Sequence, residues 1–495
     1  MKKRFKIAPD EHFFGGAVND GIFMPYKSGF KRDLRVYHGQ NQAAAALISD
    51  RGTYIYSQKP FEFSLENDEI VIDGEDIVFG RDGDTLKSAY RAVKNALAPN
   101  AIGHPDEYMF IRPQYNTWIE MGFDCAQDKI LRYAKDILAN GFPAGVLMID
   151  DCWCRAYGDW EFDAARFYDP RAMVDELLGM GFKVMLWCVP FVSADTKNFR
   201  YLDERKALVS DGDKPIVTHW WNGYSAVLDL KKPVAVEWFV AQMHALVDKY
   251  GVDGFKLDAG DPEYYPLGDN FVQTDLWAAL GGGYKFNEMR VGFNSGKYPT
   301  ANRLRDKNHS WTDDGLATLL PDGIAMGLCG YPFVCPDMIG GGLITSFDGD
   351  GFVFDTELFV RYCQVAAYFP MMQFSRMPWR VLSAKETAIC LDAVNRHIKL
   401  ADYIMNEVEK NSKSGEPILR SLEYEYPHCG YAQITDEFLL GSDILVAPQL
   451  NKGEKSRKVI IPSGEWADER GKIYSQGEYT IDTPIDVIPV FYKKS

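Results

Sequence analysis

No stretch of the sequence is long and apolar enough to span a bilayer. The N-terminus, "MKKRFKIAPDEHFFGG", carries basic residues but neither the apolar core nor the small-residue cleavage site of a secretory signal. The nine cysteines are an odd number without a disulfide framework. Reduced thiols in a cytoplasmic protein are therefore expected. Cys152 and Cys154 in "CWC" have no second pair at zinc-site spacing, and no His/Glu cluster stands at metal-ligand spacing, so neither a metal nor a cofactor is expected. A G-x-S-x-G elbow is missing. "GGGYK" and "GGGL" follow no clean strand and lack a P-loop Lys-Ser/Thr pair, which makes them flexible loops. A net charge of -16 disfavours nucleic acid and anionic membranes as partners.

At 495 residues the chain is too long for one ordinary core, so a large domain with smaller companions is expected. Residues 1–105 alternate short apolar runs with turns. Tyr54–Tyr56, Phe61–Phe63 and Ile70–Ile72 have the period of two that marks an N-terminal β-sandwich. Residues 106–412 alternate apolar strands with amphipathic helices. One helix places Ile130, Tyr133, Ala134 and Ile137 on one face, and another places Phe239, Met243, Leu246 and Tyr250. This alternation implies a parallel sheet with helices outside it. Eight strand candidates can be counted: "QYNTWI", "GVLMID", "KVMLWCV", "GFKLD", "NEMRVG", "HSWTDD", "YPFVCPD" and "MMQFSR". Eight closes a (β/α)8 TIM barrel of α/β class, with a doubly wound open sheet as the alternative. Residues 413–495 return to short strands with Gly and Pro turns, a small C-terminal β-sandwich.

The ends of these strands are unusually charged. "MIDDCW" supplies Asp150 and Asp151, "FKLDAGD" supplies Lys256, Asp258 and Asp261, "NEMRVG" supplies Arg290, "WTDDGL" supplies Asp313 and Asp314, and "VCPDMIG" supplies Asp337. Any one Asp after a strand is more often a turn former or helix cap than a reacting group. Four acidic strand ends in one barrel exceed what capping requires, because the C-terminal ends of barrel strands form the active-site face. Aromatic residues make up 14% of the chain and suit the floors of flat, amphipathic ligands such as sugars. A carboxylate pair between aromatic walls suits glycoside cleavage, in which one carboxyl attacks the sugar and the other protonates the leaving oxygen. Lys256 lies two residues before Asp258 on the same strand face, where its charge would hold Asp258 ionised.

These segments resemble glycoside hydrolase family 31. "GFKLDAGD" is similar to its nucleophile strand, "NEMRVGFNS" to the arginine strand that follows, "HSWTDDGL" to its W-x-G-D acid/base segment, and "GYPFVCPDMIGG" to its G-x-D-x-x-G segment. "FVRYCQVAAYFPMMQFS", "EFLLGSDILVAPQL" and "TPIDVIPVFYKK" continue the resemblance in family order to the C-terminus. The resemblance implies that Asp258 is the nucleophile. It implies Asp314 as acid/base, three residues after Trp311, with Asp313 standing where the family has Gly. It also implies Trp221 as a sugar platform, Arg290 as a substrate-contacting arginine, Asp337 as an orienting acid, Arg303 and Asp306 near the acid/base, and Asp150 or Asp151 on sugar hydroxyls. Lys256, Trp187, Trp311 and Gln373 complete the expected substrate-binding set. "MIDDCWCRAYGDWEFDAARF" replaces the glucosidase D-x-D-Y-M pattern, and Gln373 stands near where glucosidases place a substrate His. These features resemble the branch that contains α-galactosidases and the myogenesis-regulating glycosidase, whereas the basic signature of sulfoquinovosidases is missing. The implied activity is a retaining, exo-acting α-galactosidase on a small-molecule glycoside. An α-glucosidase, an α-xylosidase or a non-catalytic sugar-binding protein remains open, as does a homo-oligomer.

Overall fold

The computed structural model describes residues 2–36, 39–312, 314–348 and 352–494. Its N-terminal part holds two four-stranded antiparallel sheets. One contains Lys2–Lys6, Lys31–Asp33, Glu62–Glu66 and Glu69–Asp73, and the other Phe13–Ala17, Ala43–Ser49, Thr53–Tyr56 and Val78–Arg81. Phe61, Phe63, Ile70 and Ile72 are fully buried, as their period of two requires. The strand Thr53–Tyr56 also alternates with a period of two. Ile55 is buried, while Tyr54 and Tyr56 are half-buried, because a phenol tolerates the solvated side of a sheet better than an isoleucine does. A helix, Leu86–Leu97, follows these strands, started by a reciprocal capping box between Thr85 and Ser88.

The central part is a parallel eight-stranded sheet made of β1 (Gln114–Asn116), β2 (Val146–Ile149), β3 (Lys183–Cys188), β4 (Gly254–Leu257), β5 (Phe286–Met289), β6 (Asn302–Arg303), β7 (Val334–Cys335) and β8 (Gln373–Phe374). Neighbours run β7-β6-β5-β4-β3-β2-β1-β8. A parallel bridge between Met338 and Gln373, with Ile339 N–H donating to Gln373 O at 2.8 Å, brings the two edges together into a barrel. Six strands lie within the expected segments, and β5 starts one residue before its own. The sixth strand lies outside its segment: "HSWTDD" is a loop, and the strand is the two-residue Asn302–Arg303. Polar groups rather than apolar side chains hold β6, so it carries no hydrophobic signal. Asn302 accepts from Gln42 at 3.1 Å, and Arg303 is enclosed by acids.

Both helices read from periodicity are present. Gln127–Ala139 buries Ile130, Tyr133, Ala134 and Ile137, and Pro233–Tyr250 buries Phe239, Met243, Leu246 and Tyr250. The second starts on a proline and stops at Gly251, whose φ of +77° is the left-handed turn a β-carbon disfavours. Between β3 and β4 the chain makes a three-stranded antiparallel insertion of Phe191–Val192, Thr218–Trp220 and Gly223–Val227. The C-terminal part pairs a six-stranded sheet with the hairpin Ser456–Ile461/Gly477–Asp482 around Leu439, Leu445, Val459, Ile461, Trp466 and Phe491. Arg361, from the helix Thr356–Ala366, donates to Thr483 O and Val487 O at 2.6 and 2.9 Å and ties this part to the barrel. Among the described residues no helix is long and apolar enough to cross a membrane.

Within the C-terminal part, Glu437 is 1% exposed; its carboxylate accepts from Ile460 N at 3.0 Å and its Oε2 has no protein partner. Burial pushes its carboxyl up to about 8 against the pull of Arg457. The folded state then holds a proton that the unfolded state has released, so stability is lost as pH rises from the ordinary Glu range toward 8. Glu437→Gln should melt like the wild type at pH 5 and at a higher temperature at pH 8.5. Equal melting points at both pH values would show that Glu437 is ionised in the fold.

Candidate active site

Alternation along β4 sets the site. Phe255 and Leu257 point to the helices, while Lys256 and, one residue past the strand, Asp258 point inward. In register, Lys256 lies between Trp187 of β3 and Glu288 of β5. Asp258 is 8% exposed and bound from three directions. Arg290 Nε donates to Oδ1 at 2.7 Å, Ala259 N–H donates to Oδ1 at 2.8 Å, and the Trp187 indole N–H donates to Oδ2 at 3.0 Å. Burial alone would raise this carboxyl. Arg290, Lys256 and Arg303 together with the indole outweigh it and hold Asp258 well below the usual carboxylate range. Arg290 is itself fixed by Asp261 at 3.2 Å and by Gln40 O at 2.8 Å. Burial lifts Asp261 to about 6.

Lys256 was expected to serve Asp258 directly. Instead its ammonium rests on Asp150 Oδ2 at 2.6 Å, and its effect on Asp258 is longer-ranged. The contact cation is Arg290, so this arginine, expected at the substrate, is spent on two buried carboxylates. Asp151 turns the other way. Asn222 Nδ2 donates to it at 2.5 Å, Tyr157 OH at 3.2 Å and Cys152 N–H at 2.6 Å. Burial, followed by the charge of Asp150, pushes Asp151 up to about 6. Asn222 and Trp221 both come from the β3–β4 insertion. Trp221 is 44% exposed and lays its ring against the Arg290 guanidinium, 5.5 Å from its centroid.

Asp314 comes from the loop after β6 and has φ +58°; Asp313, its neighbour in the expected pair, lies outside the described residues. Both Asp314 oxygens are taken by cations, Oδ2 by Arg305 at 2.5 Å and Oδ1 by Lys307 at 2.7 Å. Trp311 does not face this cluster with its N–H, which donates to Asp355 at 2.9 Å. Left-handed backbone at Cys152, Ala259, Asp314 and Asp337, none of them glycine, marks the loops around the site. Such conformations persist only where neighbours enforce them.

Three residues expected at the substrate lie deeper. Arg303 is 1% exposed and pairs with Glu288 at 3.1 Å, with Asp306 at 2.8 Å and with Asp337. Burial pushes Asp337 up against the pull of Arg303. Gln373 is fully buried, donating to Glu288 at 2.6 Å and to Gln114 at 3.0 Å, and accepting from Asn116 at 3.4 Å. Their polar atoms satisfy one another inside the barrel, so these residues support the site from below. Sequence reasoning missed Glu288, Tyr157, Asn222 and Lys307. Only Glu288 left a signal, since it precedes Arg290 by two on an inward-facing strand. A separate cleft of about 730 Å³, lined by Arg35, Leu267, Phe271 and Phe293, holds neither Asp258 nor Asp314.

The TIM-barrel model of glycosyl hydrolases family 31 matches residues 113–407, and the C-terminal domain model of that family matches 415–495. The chain belongs to family 31. Asp258, Asp314 and Asp337 all fall within the span that the barrel model matches. The mouse (Mus musculus) myogenesis-regulating glycosidase is 34% identical over 406 residues, 78% of this chain and 57% of that protein. The chain spans about half the length of the curated relatives it matches. In fold it is similar to a Flavobacterium johnsoniae family 31 dextranase complexed with glucose, with a TM-score of 0.85 and 22% identity over 100% of this chain and 66% of the other. A family 31 α-xylosidase from a soil metagenome, complexed with xylose, gives 0.85 and 24% over 100% and 79%.

Removing one member of a buried ion pair strands its partner's charge. Glu288→Leu should therefore lower the unfolding free energy by about 3–5 kcal/mol in urea titrations. A loss below about 1 kcal/mol, the scale of an exposed pair, would mean that Asp306 and Asp337 alone satisfy Arg303.

Proposed function

We propose that the chain is a retaining, exo-acting α-glycoside hydrolase with Asp258 as nucleophile and Asp314 as acid/base, acting on α-galactosides. The observation that carries this reading is the buried Asp258 carboxyl group, held by Arg290 and Trp187 at the end of β4. Oδ1 carries two hydrogen bonds and Oδ2 the single one from Trp187, so Oδ2 is the less encumbered nucleophile. In the first step Oδ2 attacks the anomeric carbon, the bond to the aglycone oxygen breaks, and Asp314 gives that oxygen a proton. In the second, Asp314 takes a proton from water, the water oxygen attacks the anomeric carbon, and the bond to Asp258 breaks, with net retention. Proton transfer needs a free Asp314 oxygen. Arg305, 30% exposed, is the cation able to withdraw, whereas Lys307 is fully buried.

The substrate reading rests on the Asp150–Asp151 segment and on similarity to the myogenesis-regulating glycosidase. Gln373 no longer contributes to it, since its amide is consumed within the barrel. Asp151, Tyr157 and Asn222 form the polar group best placed to read hydroxyl stereochemistry, with Trp221 as the apolar floor.

On a panel of nitrophenyl α-glycosides, the galactoside should give the highest kcat/KM; a preference for the glucoside or xyloside replaces the sugar and keeps the mechanism. Asp258→Ala should abolish turnover of every substrate. Asp314→Ala should keep activity on dinitrophenyl glycosides, which need little protonation, and azide should accelerate it. Unimpaired turnover by Asp258→Ala would remove the nucleophile from this reading.

The same contacts order two further variants. The acidic limb of the pH profile of kcat/KM reports ionisation of the nucleophile in free enzyme. Arg290→Met should move that limb to higher pH, and Lys256→Met should move it less, because only Arg290 touches Asp258. The reverse order would return Lys256 to the role the sequence suggested.

A further inference from the structure

Lys307 follows β6 by four residues in the polar stretch "RLRDKNHS". Its ammonium is nevertheless fully buried and lies between two carboxylates, Asp314 Oδ1 at 2.7 Å and Asp322 Oδ2 at 2.6 Å. The lysine is also fixed by its backbone. Its N–H donates to Asp337 Oδ2 at 2.8 Å, and its carbonyl accepts from Leu343 N–H at 3.0 Å. Asp322 stands on the helix Leu319–Leu328, every residue of which is buried, and its other oxygen has no protein partner. The ammonium thus runs from the helix Leu319–Leu328 to Asp314, which stands in a loop outside any helix or strand.

The two cations on Asp314 differ in kind. Arg305 is 30% exposed, and water can take its place. Lys307 has no access to water, so leaving Asp314 would strand its charge between Asp322 and a dry wall. Asp314 also sits in a left-handed backbone conformation, at φ +58°, on a loop that must be held from outside. A misplacement of about 1 Å in a proton-transferring group costs on the order of 10²-fold in rate.

We propose that Lys307, anchored by Asp322, is the positioning residue for Asp314 and fixes the oxygen that it holds, leaving the oxygen shared with Arg305 to exchange the proton. This inference rests on the reading of Asp314 as acid/base. It divides the two oxygens by function, Oδ1 as tether and Oδ2 as the proton-carrying atom.

The test compares four proteins: wild type, Asp314→Ala, Lys307→Met, and the double variant Lys307→Met/Asp322→Leu. The double variant removes both buried charges and keeps an apolar filling, so it remains folded even where Lys307→Met alone leaves Asp322 unpaired. Each is assayed on dinitrophenyl and phenyl α-glycosides of the sugar the wild type prefers, with and without azide, alongside a melting curve. The double variant should melt near the wild type and keep kcat/KM on the dinitrophenyl substrate within a few-fold. It should lose about 10²-fold on the phenyl substrate, which needs protonation, and azide should speed it on the dinitrophenyl one. Equal fractional losses on both substrates, or no loss on either, would make Lys307 a structural residue only, provided Asp314→Ala itself discriminates between them. If Asp314→Ala does not discriminate, the acid/base reading falls and the inference with it.

Discussion

The site depends on keeping one carboxylate charged where water has been removed. Desolvation works against an ionised Asp258, and the fold answers with a guanidinium in contact, an indole N–H, a backbone N–H and two more distant cations. Each of those cations is in turn buried and must be balanced. Arg290 needs Asp261, Lys256 needs Asp150, and Arg303 needs Glu288, Asp306 and Asp337. Much of the charge at the barrel mouth follows from that single requirement, because every ion placed near Asp258 brings a partner of its own. The charged strand ends are therefore one linked lattice of ions.

The lattice explains which residues could be read from the sequence. Asp258 and Lys256 were legible because charge on a strand expected to be buried is costly unless it is paired or used. The barrel was legible wherever strands are apolar, as in β2, β3 and β4. It was illegible at β6, a strand of two residues whose place is set by Asn302 meeting the distant Gln42 and by Arg303 meeting Glu288 of β5. The pairing of charges was equally hidden. Spacing put Lys256 beside Asp258, but the ammonium found Asp150, 106 residues away in sequence, at hydrogen-bonding distance. A sequence shows which charges a strand carries; the partners that cancel them are chosen by strand order and twist.

Burial misled in the same way. Arg303 ends β6, Asp337 follows β7 and Gln373 opens β8, and all three were expected at the substrate, yet they are sealed and mutually satisfied. Lys307, which the sequence did not single out, is fully enclosed as well. Trp221 and Asn222 belong to an insertion that composition gave no reason to place near β5 or β2. Its contacts with Arg290 and Asp151 are made by tertiary folding alone.

One carboxylate away from the chemistry has a wider effect. Asp355 caps the helix Thr356–Ala366 through Leu358 N–H, accepts from the Trp311 indole, and pairs with Lys452 of the C-terminal part, while its own N–H is held by His309. Burial opposes its charge, and Lys452, the cap and the indole together hold it below the usual carboxylate range. The loop that carries Asp314 is therefore clamped at the point where a helix begins and a second core is attached. Loss of activity on heating should then coincide with global melting, instead of preceding it as it does in enzymes whose catalytic loops open before the scaffold gives way.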